Sequence, residues 1–95
     1  MATIAESQNR AIVTVLGTDR PGIVAAVAGC LSEHRANILD ITQTILESTF
    51  TMTMVVDLGE AEFATVKASL DSLAESLGVQ VVIQREDVFR FMYRL

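Results

Sequence analysis

The stretch GTDRPGIVAAVAGCLSEHRANI, Gly17 to Ile38, reads as a turn, a helix and the start of a strand. Pro21 lacks an N–H and has its φ preset, so it suits a first helical turn. From there the spacing predicts a helix over Pro21–Arg35, with Asp19 or Arg20 near its N-cap. Ile23, Val27, Cys30 or Leu31, and His34 recur at helical spacing and mark its packed face. Ala25, Ala28 and Gly29 keep the helix thin enough to approach a sheet closely. Gly22 removes a side chain where the first N–H groups of a helix have no partner. Such a terminus carries positive dipole character and attracts carboxylate or phosphate. The plainer reading is a Pro-Gly turn that only starts a helix, and spacing alone favours neither.

Working outward, Arg10–Leu16 is a β-branched strand that Gly17 closes. Asn37–Glu47 is a second strand, with Leu39, Ile41 and Ile45 on one side and Asp40, Thr42 and Thr44 on the other. Phe50–Leu58 alternates most regularly: Phe50, Met52, Met54, Val56 and Leu58 face one way. Glu47-Ser48 between them is short enough for a hairpin turn, although it lacks Asn-Gly. Glu60–Leu77 is an amphipathic helix through Phe63, Val66, Leu70, Leu73, Ala74 and Leu77. Glu60 and Glu62 are expected in its first turn and Gly78 just past its end. Val79–Arg85 is the last strand, with Val79, Val81 and Ile83 inward, and Glu86–Leu95 a short terminal helix. The order β-α-β-β-α-β implies an α+β, ferredoxin-like domain: a four-stranded antiparallel sheet in the order 4-1-3-2, with both helices on one face. The other face, with Thr14, Asp40, Thr42, Thr44, Thr51, Thr53, Gln80 and Gln84, is expected to be polar.

Ninety-five residues make a single domain, here residues 10–95, with Met1 to Asn9 as a loose tail. One cysteine allows no internal disulfide, and 51% hydrophobic residues exceed the usual share. That excess suggests apolar surface buried between chains. A net charge of −5 with scattered basic residues argues against nucleic acid as a ligand. No apolar run approaches a membrane span, and the N-terminus lacks the pattern of a signal peptide, so a cytoplasmic location is expected.

Quoted onward from Gly17, GTDRPGIVAAVAGCLSEHRANILDITQT resembles the first half of an ACT domain, a small regulatory module that pairs side by side and commonly binds amino acids between subunits. The resemblance spans Arg10 to about Ile83. With DITQTIL, FTMTMVV and the terminal FRFMYRL, the chain looks like the small stand-alone bacterial ACT proteins. Its first half is also similar to the ACT modules of glycine-cleavage repressors and formyltetrahydrofolate deformylases. The resemblance implies a site in which Asp19, Arg20, Pro21, Gly22 and Ile23 of one subunit face Asn37, Ile38 and Leu39 of its neighbour. A ligand carboxylate would meet the Gly22 and Ile23 amides, and its ammonium the Asn37 side chain and strand carbonyls. Asn37 also suits the left-handed geometry that follows a helix end. Arg20 is either a carboxylate clamp or a solvated turn residue.

The second strand lies at a sheet edge without Pro or Lys, an edge that invites a second copy and hence a homodimer. The tail stripe Val88, Phe91, Met92 and Leu95 is expected to pack on the sheet of its own or a neighbouring chain. Catalysis is discounted: no acylphosphatase-like glycine loop, carboxylate pair or serine–histidine arrangement is apparent. Cys30 and His34 cannot close a tetrahedral metal site, and no cofactor is expected. The outward positions of the central strands, mostly Thr, lack the aromatics of an RNA-recognition module. The resulting expectation is a non-catalytic, amino-acid-binding regulatory domain. The alternative is a regulatory module that acts through a protein partner without a ligand of its own.

Overall fold

The structure, a computed structural model, describes residues 9–18 and 21–87. Its elements are β1 (Arg10–Thr18), α1 (Ile23–Glu33), β2 (Asn37–Leu46), β3 (Thr49–Asp57), α2 (Phe63–Leu77) and β4 (Gln80–Arg85). The four strands form one antiparallel sheet in the order β2-β3-β1-β4, the expected ferredoxin-like topology. Most of the expected tail, 1–8, and the stripe from Val88 to Leu95 lie outside the described residues, as do Asp19 and Arg20.

The core has one side of the sheet as its floor. Ala11, Val13 and Val15 of β1, and Phe50, Met52, Met54 and Val56 of β3, are buried there by strict alternation. Ile23, Val27 and Leu31 of α1 and Val66 and Leu70 of α2 close over the same side, so both helices share one face. Across β1, Gly17 is required by a close approach. A Cβ built there would stand 2.7 Å from Val79 Cγ1. Gly17 therefore remains inside β1, which runs on to Thr18, instead of closing it.

Several boundaries differ from the sequence expectation for local reasons. The first helix starts at Ile23, not Pro21, because Gly22 is its N-cap, with φ 92° and ψ −8°. That left-handed backbone suits glycine and ends the non-helical run of the loop. The helix stops at Glu33, where His34 caps it and Arg35 takes φ 62°, so the Ala36 N–H reaches back to the Leu31 carbonyl at 3.0 Å. The left-handed residue after the helix is thus Arg35, not Asn37. The second helix begins at Phe63 with Glu62 as N-cap, and Glu60 lies outside it, so neither glutamate is in its first turn. Gly78, with φ 73°, closes it as expected, its N–H bonded to the Ala74 carbonyl. Glu47, with φ 58°, supplies the left-handed turn between β2 and β3 that Asn or Gly more often provides.

Asn9 is firmly tied and is not part of a loose tail. Its Nδ2 donates to the Gly59 and Ala61 carbonyls at 3.0 and 2.8 Å, and its carbonyl accepts the Leu58 N–H. The face away from the helices is less polar than expected. Alternation places Ile12, Leu16 and Val82 there among the threonines, with Leu16 and Val82 exposed.

Candidate functional site

The loop into α1 leaves an unfilled helix terminus. Pro21 and Gly22 are exposed, and among the described residues no side chain caps the first turn, which holds no acidic residue. A Cβ at Gly22 would meet nothing within 4 Å among the described residues, so the glycine α-carbon faces open space. The Ile23 side chain is buried in the core, which leaves only its backbone for a ligand. The positive end of the helix dipole lies at this exposed Pro21-Gly22 turn.

The other expected half of the site is at the far end of the molecule. Asn37 sits opposite Asp57, and Asp57 opposite Arg10, the first residue of β1. The Gly22 loop leaves from the other end of β1, after Thr18. Eight strand steps of about 3.3 Å each place about 26 Å of sheet between these ends. A single chain does not bring Gly22 and Asn37 together. Asn37 is exposed, Ile38 is half-buried against the core, and Leu39 is exposed.

Leu39 is also the extra residue of a β-bulge, since Ile38 pairs with Val56 and Asp40 with Val55. The bulge corrects the expected alternation: Ile38 and Ile41 both face the helices, opposite the buried Val56 and Met54. Just beyond it, the Ile41 N–H donates to Asp40 Oδ1 at 2.9 Å. A donor taken up by its neighbour's side chain is one that the ladder with β3 leaves free, so it lies on the open edge. The edge expected to be unblunted is therefore capped at Ile41, and free beyond it. Four of the exposed large apolar residues lie on this strand: Leu39, Ile41, Ile45 and Leu46, the last two 55% and 73% exposed. The sequence places Asp40 on the edge strand; that its carboxylate takes up the Ile41 N–H follows from the bulge, which leaves no mark in residue alternation.

Two further features bear on chemistry. An open groove of about 710 Å³ runs between α1 and α2, lined by small residues such as Ala26, Gly29 and Ser72. Its thiol, Cys30, is pushed above the usual range by burial and, secondarily, by the Glu33 carboxylate. Beside it His34 Nε2 lies 2.9 Å from Ser69 Oγ, a serine–histidine pair that sequence reading did not anticipate. The pair clamps the end of α1 to the middle of α2. The amides around Ser69 belong to the α2 helix ladder. Among the described residues no group of His, Cys, Asp and Glu is arranged to hold a metal, and no helix is long and apolar enough to cross a membrane.

The ACT domain profile matches residues 9–84. A UPF0237 protein of Methanocaldococcus jannaschii is 49% identical over 89 residues, covering 92% of this chain and 99% of that one. An ACT domain protein from Streptococcus pneumoniae superposes with a TM-score of 0.76 at 38% identity, over 85% of this chain and 93% of that one. A formyltetrahydrofolate deformylase from Burkholderia mallei shares the fold, with a TM-score of 0.74 at 22% identity; the match covers 81% of this chain and 28% of the deformylase.

Proposed function

The chain belongs to the ACT domain family, and from that premise we propose that it is a non-catalytic regulatory module whose two copies pair along β2 and hold an amino acid between them. The observation that carries this reading is the separation of Gly22 from Asn37 along one sheet. Antiparallel pairing of two β2 edges reverses the ends, so Asn37 of one copy comes beside Leu46, Thr18 and the Gly22 loop of the other. Each chain then contributes half of two equivalent crevices. The open amides at Gly22 and Ile23 receive the ligand carboxylate, and Asn37 and the β2 carbonyls face its polar remainder.

Magnitudes support a ligand-dependent assembly. Burying the exposed half of a large aliphatic side chain contributes roughly 1 kcal/mol, so four such residues on each of two copies supply about 8 kcal/mol. Association costs roughly 4–15 kcal/mol in lost freedom. Apolar burial alone is thus of the same size as the cost, and main-chain pairing along β2 and a bound ligand shift the balance toward the dimer. The competing reading, docking of a protein partner without a ligand, draws on Leu16 and Val82, exposed on the far face of the sheet.

A thermal-shift screen of the proteinogenic amino acids, run beside light scattering, tests the proposal. At least one amino acid should raise the melting temperature of a dimer, and Gly22→Ala or Asn37→Ala should abolish that rise. A flat screen, or a monomer at every concentration, overturns it.

A further inference from the structure

The outer face of the sheet, away from both helices, is closed at one end and open at the other. Ile12 of β1 is only 5% exposed, although it points away from the helices and is no part of the cluster that they cover. Leu16, four residues along the same strand and face, is 42% exposed, and Val82 of β4 is exposed as well. Their surroundings in the sheet are alike. Ile12 stands between Val55 and Gln84, and Leu16 between Thr51 and Gln80, a β-branched residue and a glutamine in each case. Neighbours in the sheet do not account for the difference.

The same end of the face buries charge. Arg10, two residues before Ile12, pairs with Glu86 at 3.2 Å, and both side chains are mostly buried. Alternation puts both on the outer face, because Ala11 and Ile83 face the core. A cross-strand ion pair on an open face is well hydrated. Here Arg10 Nε is buried and has no hydrogen-bond partner among the described residues. Arg10, Ile12 and Glu86 are therefore covered, on a face where no described helix lies.

We propose that the segment Val88–Leu95 of the same chain docks on this end of the outer face. Glu86 already stands there, and Val88 follows it by two residues, about 7 Å of chain. Ile12 lies two strand steps past Arg10, also about 7 Å, so the segment reaches it without crossing a sheet edge. Val88, Phe91, Met92 and Leu95 recur at helical spacing, an apolar stripe that suits an apolar floor. The segment before Asn9 fits worse. It enters through Asn9, whose side chain is tied to Gly59 and Ala61 in the connection to α2. It also offers only Met1 and Ile4 as large apolar residues. Docking of Val88–Leu95 leaves Leu16 and Val82 as the apolar surface of this face still open to another partner.

The chain has no tryptophan, so Phe91→Trp in the full chain gives a single reporter. Acrylamide should quench its indole several-fold more slowly in the native protein than in urea. Adding Ile12→Lys should raise quenching close to the rate in urea. Adding Leu16→Lys, on the same face beyond the covered end, should leave it unchanged. Circular dichroism checks that each variant is folded. Should Ile12→Lys fail to fold, Ile12→Ala makes the same test, with a smaller rise expected. A folded Phe91→Trp protein quenched as fast as in urea overturns the proposal. So does a quenching rate indifferent to the residue at position 12. Protection that fades on dilution would assign the face to the segment of a neighbouring chain, and overturns docking within one.

Discussion

Asn37 and Gly22 occupy opposite ends of one sheet, Asn37 level with Arg10 where β1 begins and Gly22 just beyond Thr18 where it ends. On the function proposed above, the two residues meet across a seam between copies. Breaking the seam should therefore abolish binding without unfolding the chain. Ile45 is 55% exposed on β2, so Ile45→Lys should cost the monomer no more than about 0.5–1 kcal/mol. Light scattering should show the dimer mass fall to that of a monomer. An Ile45→Lys protein that remains dimeric would place the interface elsewhere.

Gly22 and Glu47 share left-handed backbone, with φ of 92° and 58°, and opposite substitutions follow. Gly22→Ala meets no steric neighbour, so its whole cost is backbone strain, about 1 kcal/mol, seen as a lower melting temperature. Glu47→Asn supplies a residue that tolerates this geometry and should gain a few tenths to about 1 kcal/mol in urea unfolding. Unchanged stability in both would contradict the assigned turn geometry.

Gly17 and Val79 form a tight contact that a double-mutant cycle can measure. Gly17→Ala forces a methyl to within 2.7 Å of Val79 Cγ1 and should destabilise by about 1–3 kcal/mol. Val79→Ala removes the obstructing methyls, so the double variant should be more stable than the sum of the single losses predicts. Strict additivity would refute the contact.

Burial first, and the Glu33 carboxylate second, hold the Cys30 thiol in its protonated form. Only the thiolate is alkylated, so Cys30 should react slowly with iodoacetamide at neutral pH. Its rate should rise with pH toward a midpoint above that of a free thiol. Glu33→Gln removes a charge that opposes the thiolate and should quicken the reaction. A slower reaction in Glu33→Gln would show that the charge acts in the other direction.

Much of the fold is legible in the spacing of apolar residues. Phe50, Met52, Met54 and Val56 alternate without interruption, and all are buried where alternation places them. Val66, Leu70 and Ala74 step by one helical turn and line the inner face of α2. The errors cluster where the backbone departs from a regular period. The bulge at Leu39 takes that residue off the face that Ile41 and Ile45 share as expected. The left-handed Gly22 delays α1 by two residues. Arg35, a poor candidate on propensity, takes the helix-end geometry that Asn37 would suit.

Alone, the sequence determined which residues are apolar, at what period, and where proline and glycine interrupt them, and so the order of strands and helices. Those are local properties of the chain, set by side-chain size and φ preference. Only the tertiary structure decided that Gly22 and Asn37 stand a sheet length apart, that His34 meets Ser69, and that the Asp40 carboxylate lies on the free edge of β2. Those relations depend on strand register and on one extra residue in a ladder, which hydrogen bonding between distant segments selects and no local pattern encodes.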